Sequence, residues 1–159
     1  MGEVVATDHL PPVKNQLVVE IARKWIGTPY CHQASVRGAG ADCLGLVRGI
    51  WRELFGGEPE LVPTYTPDWM EAAGEERLWQ AAGRHLSEVE MAGMPAPGEV
   101  VLFRMRKGAV AKHLGIAAER NACPSFIHAY SGHRVVESAL TQAWQRRIVA
   151  RFAFPKGVR

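Results

Sequence analysis

The chain has little that would commit it to a membrane, a metal or a nucleic acid. No apolar run approaches the roughly 20 residues that span a bilayer, so no membrane insertion is expected. The opening Met1-Gly2-Glu3-Val4-Val5 lacks a basic leader followed by a hydrophobic stretch, so synthesis in the cytoplasm without a signal peptide is expected. Three cysteines (Cys31, Cys43, Cys123) cannot all pair within the chain, which argues against a disulfide framework. No C-x-x-C or H-x-x-x-H pair occurs, and adjacent residues such as Cys31-His32 rarely ligate one ion, so neither a metal nor another cofactor is expected. A phosphate-cradling glycine loop and interleaved basic and aromatic residues are also missing, which speaks against a nucleic-acid partner. The net charge of +3 is mild, and its C-terminal basic residues (Arg146, Arg147, Arg151, Lys156, Arg159) read as a solvated edge.

What is present describes an ordinary globular protein: 159 residues, 47% hydrophobic and 22% charged, enough for one domain with a real core. Residues 1–14 form an extended, proline-marked lead-in. Asn15 is placed to cap a helix with apolar positions at Leu17, Val18, Ile21, Ala22, Trp25 and Ile26, stopped by Gly27 and Pro29. A loop from Thr28 to Ala41 leads to a second helix, Cys43 to Phe55, ended by Gly56-Gly57. Three prolines mark 58–67 as extended, and Asp68 with Glu71 resembles a capping box for a third helix through His85. After Pro95-Ala96-Pro97-Gly98 the pattern changes to short β-rich runs: Glu99–Arg104, His113–Ala118, Ser125–Tyr130, Arg134–Ser138 and Ile148–Phe154. Helices first and an antiparallel sheet afterwards make an α+β fold, with N-terminal helices packed on the sheet.

Cys43 opens the second helix in Gly40-Ala41-Asp42-Cys43-Leu44-Gly45-Leu46-Val47. The helix dipole there favours thiolate, the nucleophilic form, and free backbone N–H groups could hold an oxyanion. On this basis Cys43 is expected to react faster than a free thiol at pH 6. Alternation along His113-Leu114-Gly115-Ile116-Ala117 puts His113, Gly115 and Ala117 on one face, with Gly115 leaving room for a substrate backbone. In Phe126-Ile127-His128-Ala129-Tyr130, His128 shares a face with Phe126 and Tyr130 and can orient His113 through its second ring nitrogen. Tyr30 ends the turn before the nucleophile loop and can donate to an oxyanion or a substrate group. His9, His85 and His133 read as surface residues and Cys123 as a loop residue.

Taken in order, Gly27-Thr28-Pro29-Tyr30, Asp42-Cys43-Leu44-Gly45-Leu46-Val47, Pro97-Gly98-Glu99-Val100-Val101-Leu102-Phe103, His113-Leu114-Gly115-Ile116 and Phe126-Ile127-His128-Ala129 resemble the NlpC/P60 family of cell-wall cysteine peptidases over roughly 15–154. The wording around Trp25-Ile26-Gly27-Thr28-Pro29-Tyr30-Cys31-His32-Gln33 and Arg48-Gly49-Ile50-Trp51 resembles the branch encoded beside phage and gene-transfer-agent tail genes. The resemblance implies a papain-like fold and hydrolysis of peptidoglycan stem peptides, typically at γ-D-glutamyl–diaminopimelate. It makes Cys43 the nucleophile, His113 the general base and then acid, and His128 its orienter. Tyr30 would stand near the oxyanion and Asp42 near a substrate amine. It also implies companions in a tail or baseplate and action in the periplasm of a target cell. A structural tail-tip role, or amidase or acyltransferase chemistry on the same scaffold, are the alternatives. Two departures stand out: Leu44 replaces the usual serine after the nucleophile, and Gln33-Ala34 stands near the usual Gly-Gly.

Overall fold

The computed structural model describes residues 13–60 and 75–156. Helix α1 (Val13–Lys24) starts two residues before Asn15, so that residue lies in its first turn instead of capping it. Its buried face is Val18, Ile21, Ala22 and Trp25, while Leu17 and Ile26 are exposed. The loop expected from Thr28 to Ala41 contains a small hairpin, β1 (Ser35–Val36) with β2 (Gly40–Ala41), too short to be read from side-chain alternation. Helix α2 (Cys43–Phe55) has the expected bounds and ends on Gly56 at φ 85°, a left-handed cap that glycine adopts without strain. It crosses α1 closely because Gly49 has no side chain: a Cβ there would meet Trp25 Cζ2 at 2.0 Å.

The proposed capping box at Asp68 and Glu71 lies outside the described residues, and the helix after it, α3, spans Arg77–His85. Six strands follow: β3 (Ser87–Val89), β4 (Val100–Phe103), β5 (His113–Arg120), β6 (Cys123–Ala129), β7 (Val135–Ala139) and β8 (Ile148–Ala153). A four-residue helix, α4 (Gln142–Gln145), precedes β8, with Thr141 as its N-cap. The sheet order is β3-β8-β4-β5-β6-β7, antiparallel throughout. Strand β3 was not expected, because three residues carry no periodicity. Cys123 is the first residue of β6, paired with Arg120 across a two-residue turn, and not a loop residue.

Both sheet faces are covered, and alternation assigns the side chains to each. Val100, Leu102, Leu114, Ile116 and Ile127 join α1 and α2 in the main core. Val101, Phe103, Ala117, Phe126 and Leu140 form a second cluster on the opposite face, closed by Met105, Trp144 and Ile148. Arg151, expected on a solvated edge, is buried instead. Its guanidinium grips Glu99 with two hydrogen bonds, 2.8 and 3.3 Å, and also donates to the carbonyls of Ala92 and Gly93. This buried pair ties the loop before β4 to β8, and removing one partner would strand the other's charge.

Candidate active site

The position of Cys43 is set by Asp42. Its Oδ1 accepts from the Gly45 amide at 2.7 Å, capping α2. Its Oδ2 accepts from the Gln33 amide at 2.8 Å, tying the loop to the helix start. The carboxylate is 3% exposed, so Asp42 holds the helix opening together from within. Gln33 adopts φ 65°, the left-handed conformation that a glycine would take more easily. Gly45 is required by proximity: a Cβ would stand 1.9 Å from the Ala34 carbonyl oxygen. Both glycines of this stretch admit close approach, but of the protein's own atoms: the Ala34 backbone at Gly45, and the Cys31 and Ala34 side chains at Gly40.

Cys43, half-buried as the first residue of α2, reaches the beginning of β5. Its thiol donates to the Lys112 carbonyl at 3.6 Å, next to His113. Main-chain N–H groups of Leu114, Leu44 and Cys43 itself face the sulfur and favour thiolate. Burial outweighs them, the Asp42 charge adds to it, and the thiol is pushed up to about 12. Desolvation thus works against the expected thiolate and opposes the helix-end field.

His113 Nε2 lies 2.8 Å from His128 Nδ1, the contact that joins the two sequence-predicted histidines. His128 Nε2 in turn lies 2.9 Å from Ser138 Oγ on β7. Phe103, Tyr130 and Trp144 pack around His113 at ring distances of 5.7, 5.9 and 5.9 Å. Phe126 lies 4.1 Å from His128. In this dry wall burial, and then His128, lowers His113 to about 3. Burial, and then His133, lowers His128 to about 4. Both imidazoles are neutral at pH 7. The space expected beside Gly115 is taken by Phe126, 3.0 Å from an ideal Cβ, and so is closed to substrate.

Tyr30 is anchored by a bridge to Ala41, one residue before Asp42. Burial raises its phenol, followed by the charges of Cys43 and Asp42, which places it in their field as a protonated donor. His85 and His133, expected on the surface without partners, have them: His85 Nε2 lies 3.0 Å from Glu60 Oε1, and His133 packs on Tyr130 at 5.2 Å. Leu44 packs against the main core. With Val47, Trp51, Leu78, Leu86 and Leu114 it lines an apolar pocket of about 240 Å³.

Ser138 and Trp144 were missed. The observed register pairs Ser138 with Phe126 and so puts it on the His128 face, a placement that alternation within one strand does not give. Trp144 sits in a four-residue helix with no readable period, and Arg147 stacks over it at 5.3 Å.

No protein-family model matches the chain, and no curated protein matches it. Among solved structures it is similar to a lipoprotein-like NLP/P60 family protein from Staphylococcus aureus, with 19% identity, a TM-score of 0.58, and 92% of this chain and 43% of that one covered. It is similar also to NlpC2 from Trichomonas vaginalis, with 18% identity, a TM-score of 0.56 and coverage of 89% and 46%. An NlpC/P60 family protein from Bacillus cereus gives 15%, 0.57, 88% and 40%. The fold is the NlpC/P60 fold. The chain spans less than half the length of each of these three structures. At such identities they carry the α+β architecture, helices on an antiparallel sheet, and not the chemistry.

Proposed function

We propose that the protein is a cysteine peptidase that cleaves peptidoglycan stem peptides, with the γ-D-glutamyl–diaminopimelate bond as its target. The observation that carries this reading is the histidine pair. His113 spends Nε2 on His128, so Nδ1 is the ring atom left to serve Cys43, whose thiol reaches the carbonyl of Lys112, one residue before His113. As Cys43 Sγ bonds to the substrate carbonyl carbon, its proton passes to His113 Nδ1 and the carbonyl electrons move to oxygen. The backbone N–H of Cys43 and the Tyr30 phenol receive that oxyanion. Collapse breaks the C–N bond, and His113 returns the proton to the leaving amine. Water then attacks the thioester, with His113 taking and returning a proton, and the free acid and thiol are restored.

Asp42 positions the nucleophile's helix, and its charge, felt at Tyr30 and Cys43, would attract a substrate amine approaching that side. The resemblance of the Trp25–Gln33 and Arg48–Trp51 segments to tail-associated relatives supports a setting in a phage-like tail or baseplate, acting on the wall of a target cell.

The test is digestion of purified peptidoglycan by the wild type and by Cys43→Ala, with mass spectrometry of the released fragments. Wild-type cleavage that vanishes in Cys43→Ala, with unchanged circular dichroism, is the expected result. Equal release by both, or by neither between pH 5 and 9, refutes the peptidase reading. Fragments cut at the sugar–peptide amide would make it an amidase.

A further inference from the structure

The line of ring nitrogens does not stop at His128, and its far end decides which tautomer faces the thiol. Each neutral imidazole carries one N–H and one lone pair. If Ser138 Oγ donated to His128 Nε2, then His128 Nδ1–H would donate to His113 Nε2. The His113 proton would then sit on Nδ1, where the lone pair of a base is needed. If Ser138 Oγ accepts from His128 Nε2–H, every bond in the line reverses. His128 Nδ1 accepts from His113 Nε2–H, and His113 Nδ1 offers its lone pair.

We propose that Ser138 is a positioning residue that fixes His113 in its Nε2–H tautomer, by accepting from His128 Nε2. The 2.9 Å contact to His128 and the 2.8 Å contact between the histidines make the line continuous. Ser138 stands on the same sheet face, as register partner of Phe126 beside His128. Phe126, Tyr130 and Trp144 rings pack around His128 at 4.1, 5.6 and 5.4 Å, so Ser138 Oγ is the hydrogen-bond partner found for Nε2 among the described residues. The direction also suits the sulfur. Three main-chain N–H groups already face it, and what its proton lacks is a basic acceptor. The inference rests on the peptidase reading for its purpose, but not for its geometry.

Nitrogen-15 NMR of the full chain, reading two-bond couplings of the histidine rings at pH 7, tests it without substrate. Both His113 and His128 should be Nε2–H in the wild type. Ser138→Ala should shift His113 toward Nδ1–H, and Ser138→Thr should restore the wild-type pattern. On peptidoglycan, Ser138→Ala should lose about tenfold in kcat with KM unchanged, the worth of one neutral hydrogen bond. A wild-type His113 found as Nδ1–H overturns the proposal even if Ser138→Ala fails to fold. So does a folded Ser138→Ala with unaltered tautomers. Tautomers that respond as expected in a protein inert on peptidoglycan uphold the relay and refute the peptidase.

Discussion

Replacing Gly45 by alanine should damage both stability and activity, although alanine is the better helix former. Intrinsic propensity favours the change by about 1 kcal/mol. Against it stands a Cβ 1.9 Å from the Ala34 carbonyl oxygen and 3.0 Å from its carbon, both backbone atoms. Relief needs a relative shift of more than an ångström between α2 and the 31–41 loop. That shift pulls on the Asp42 amide bond to Ala34, the Ser35 hydroxyl bond to the Gly45 carbonyl, and both Asp42 cap bonds. Overpacking costs about 1–3 kcal/mol and loss of a cap about 1 kcal/mol. The net is a destabilisation of about 2 kcal/mol, or roughly 4–8 °C in Tm for a chain of this size. Misplacing Cys43 by about 1 Å should lower turnover about a hundredfold. Gly83, in α3, supplies the opposite sign: nothing lies within 4 Å of its ideal Cβ. Gly83→Ala should raise stability by about 0.5–1 kcal/mol and leave turnover intact. Thermal melts and peptidoglycan turnover of the two variants form the assay. A Gly45→Ala protein as stable and active as the wild type would refute the reasoning.

Ala122 sits at φ 63° in the two-residue turn between β5 and β6, after Asn121 at φ 52°. Ala122→Gly restores the Asn-Gly pair this turn prefers and should stabilise by about 0.5–1 kcal/mol in denaturant melts. Neutral, buried His113 and His128, lowered to about 3 and about 4, hold back protons that the unfolded chain takes up near pH 6.5. Their stabilisation is complete above pH 6.5 and is lost as pH falls toward 4. In His113→Asn the slope of stability against pH between 6 and 4.5 should drop by about 1.4 kcal/mol per unit, and an unchanged slope contradicts the buried neutral imidazole. With iodoacetamide at pH 7, exposed Cys31 and Cys123 should label before Cys43, as read by mass spectrometry of digests. Cys43 labelling first would mean that it rests as thiolate.

The elements that could be read from sequence are those with long periods and clear stops. Helix α2 was bounded to the residue because Asp42 and Gly56 are chemically explicit ends, and strands β4 to β8 were located, with ends off by one or two residues, because alternation or apolar runs mark them. What escaped depends on sequence-distant neighbours. Arg151 looks like surface charge until Glu99 is found 2.8 Å away, 52 positions earlier. Gly115 looks like room for substrate until Phe126 is packed against it. The histidine pair was legible because two alternating strands put both rings on one face. Its continuation to Ser138 requires the β6–β7 register, which no single strand contains.

Burial opposes the thiolate expected at Cys43, and the reason bears on how the site would work. A helix N-terminus contributes the equivalent of about half a charge, concentrated in its first turn. Here a buried Asp42 occupies that turn and takes the Gly45 amide for itself, while the sulfur lies in apolar packing. The field that should lower the thiol is thus partly spent on the cap that positions it. Thiol and imidazole rest neutral, with the thiol pushed up to about 12 and His113 held at about 3. Moving the proton ahead of attack would create two buried charges at once, so in the proposed mechanism transfer to His113 accompanies formation of the carbon–sulfur bond. The negative charge then appears on the carbonyl oxygen, within reach of donors, and never on an isolated sulfur. Reactivity in such a site depends on an acyl group held in position. A small electrophile brings no carbonyl oxygen for those donors to hold, which is why Cys43 should be the slowest cysteine to alkylate even where it serves as the proposed nucleophile.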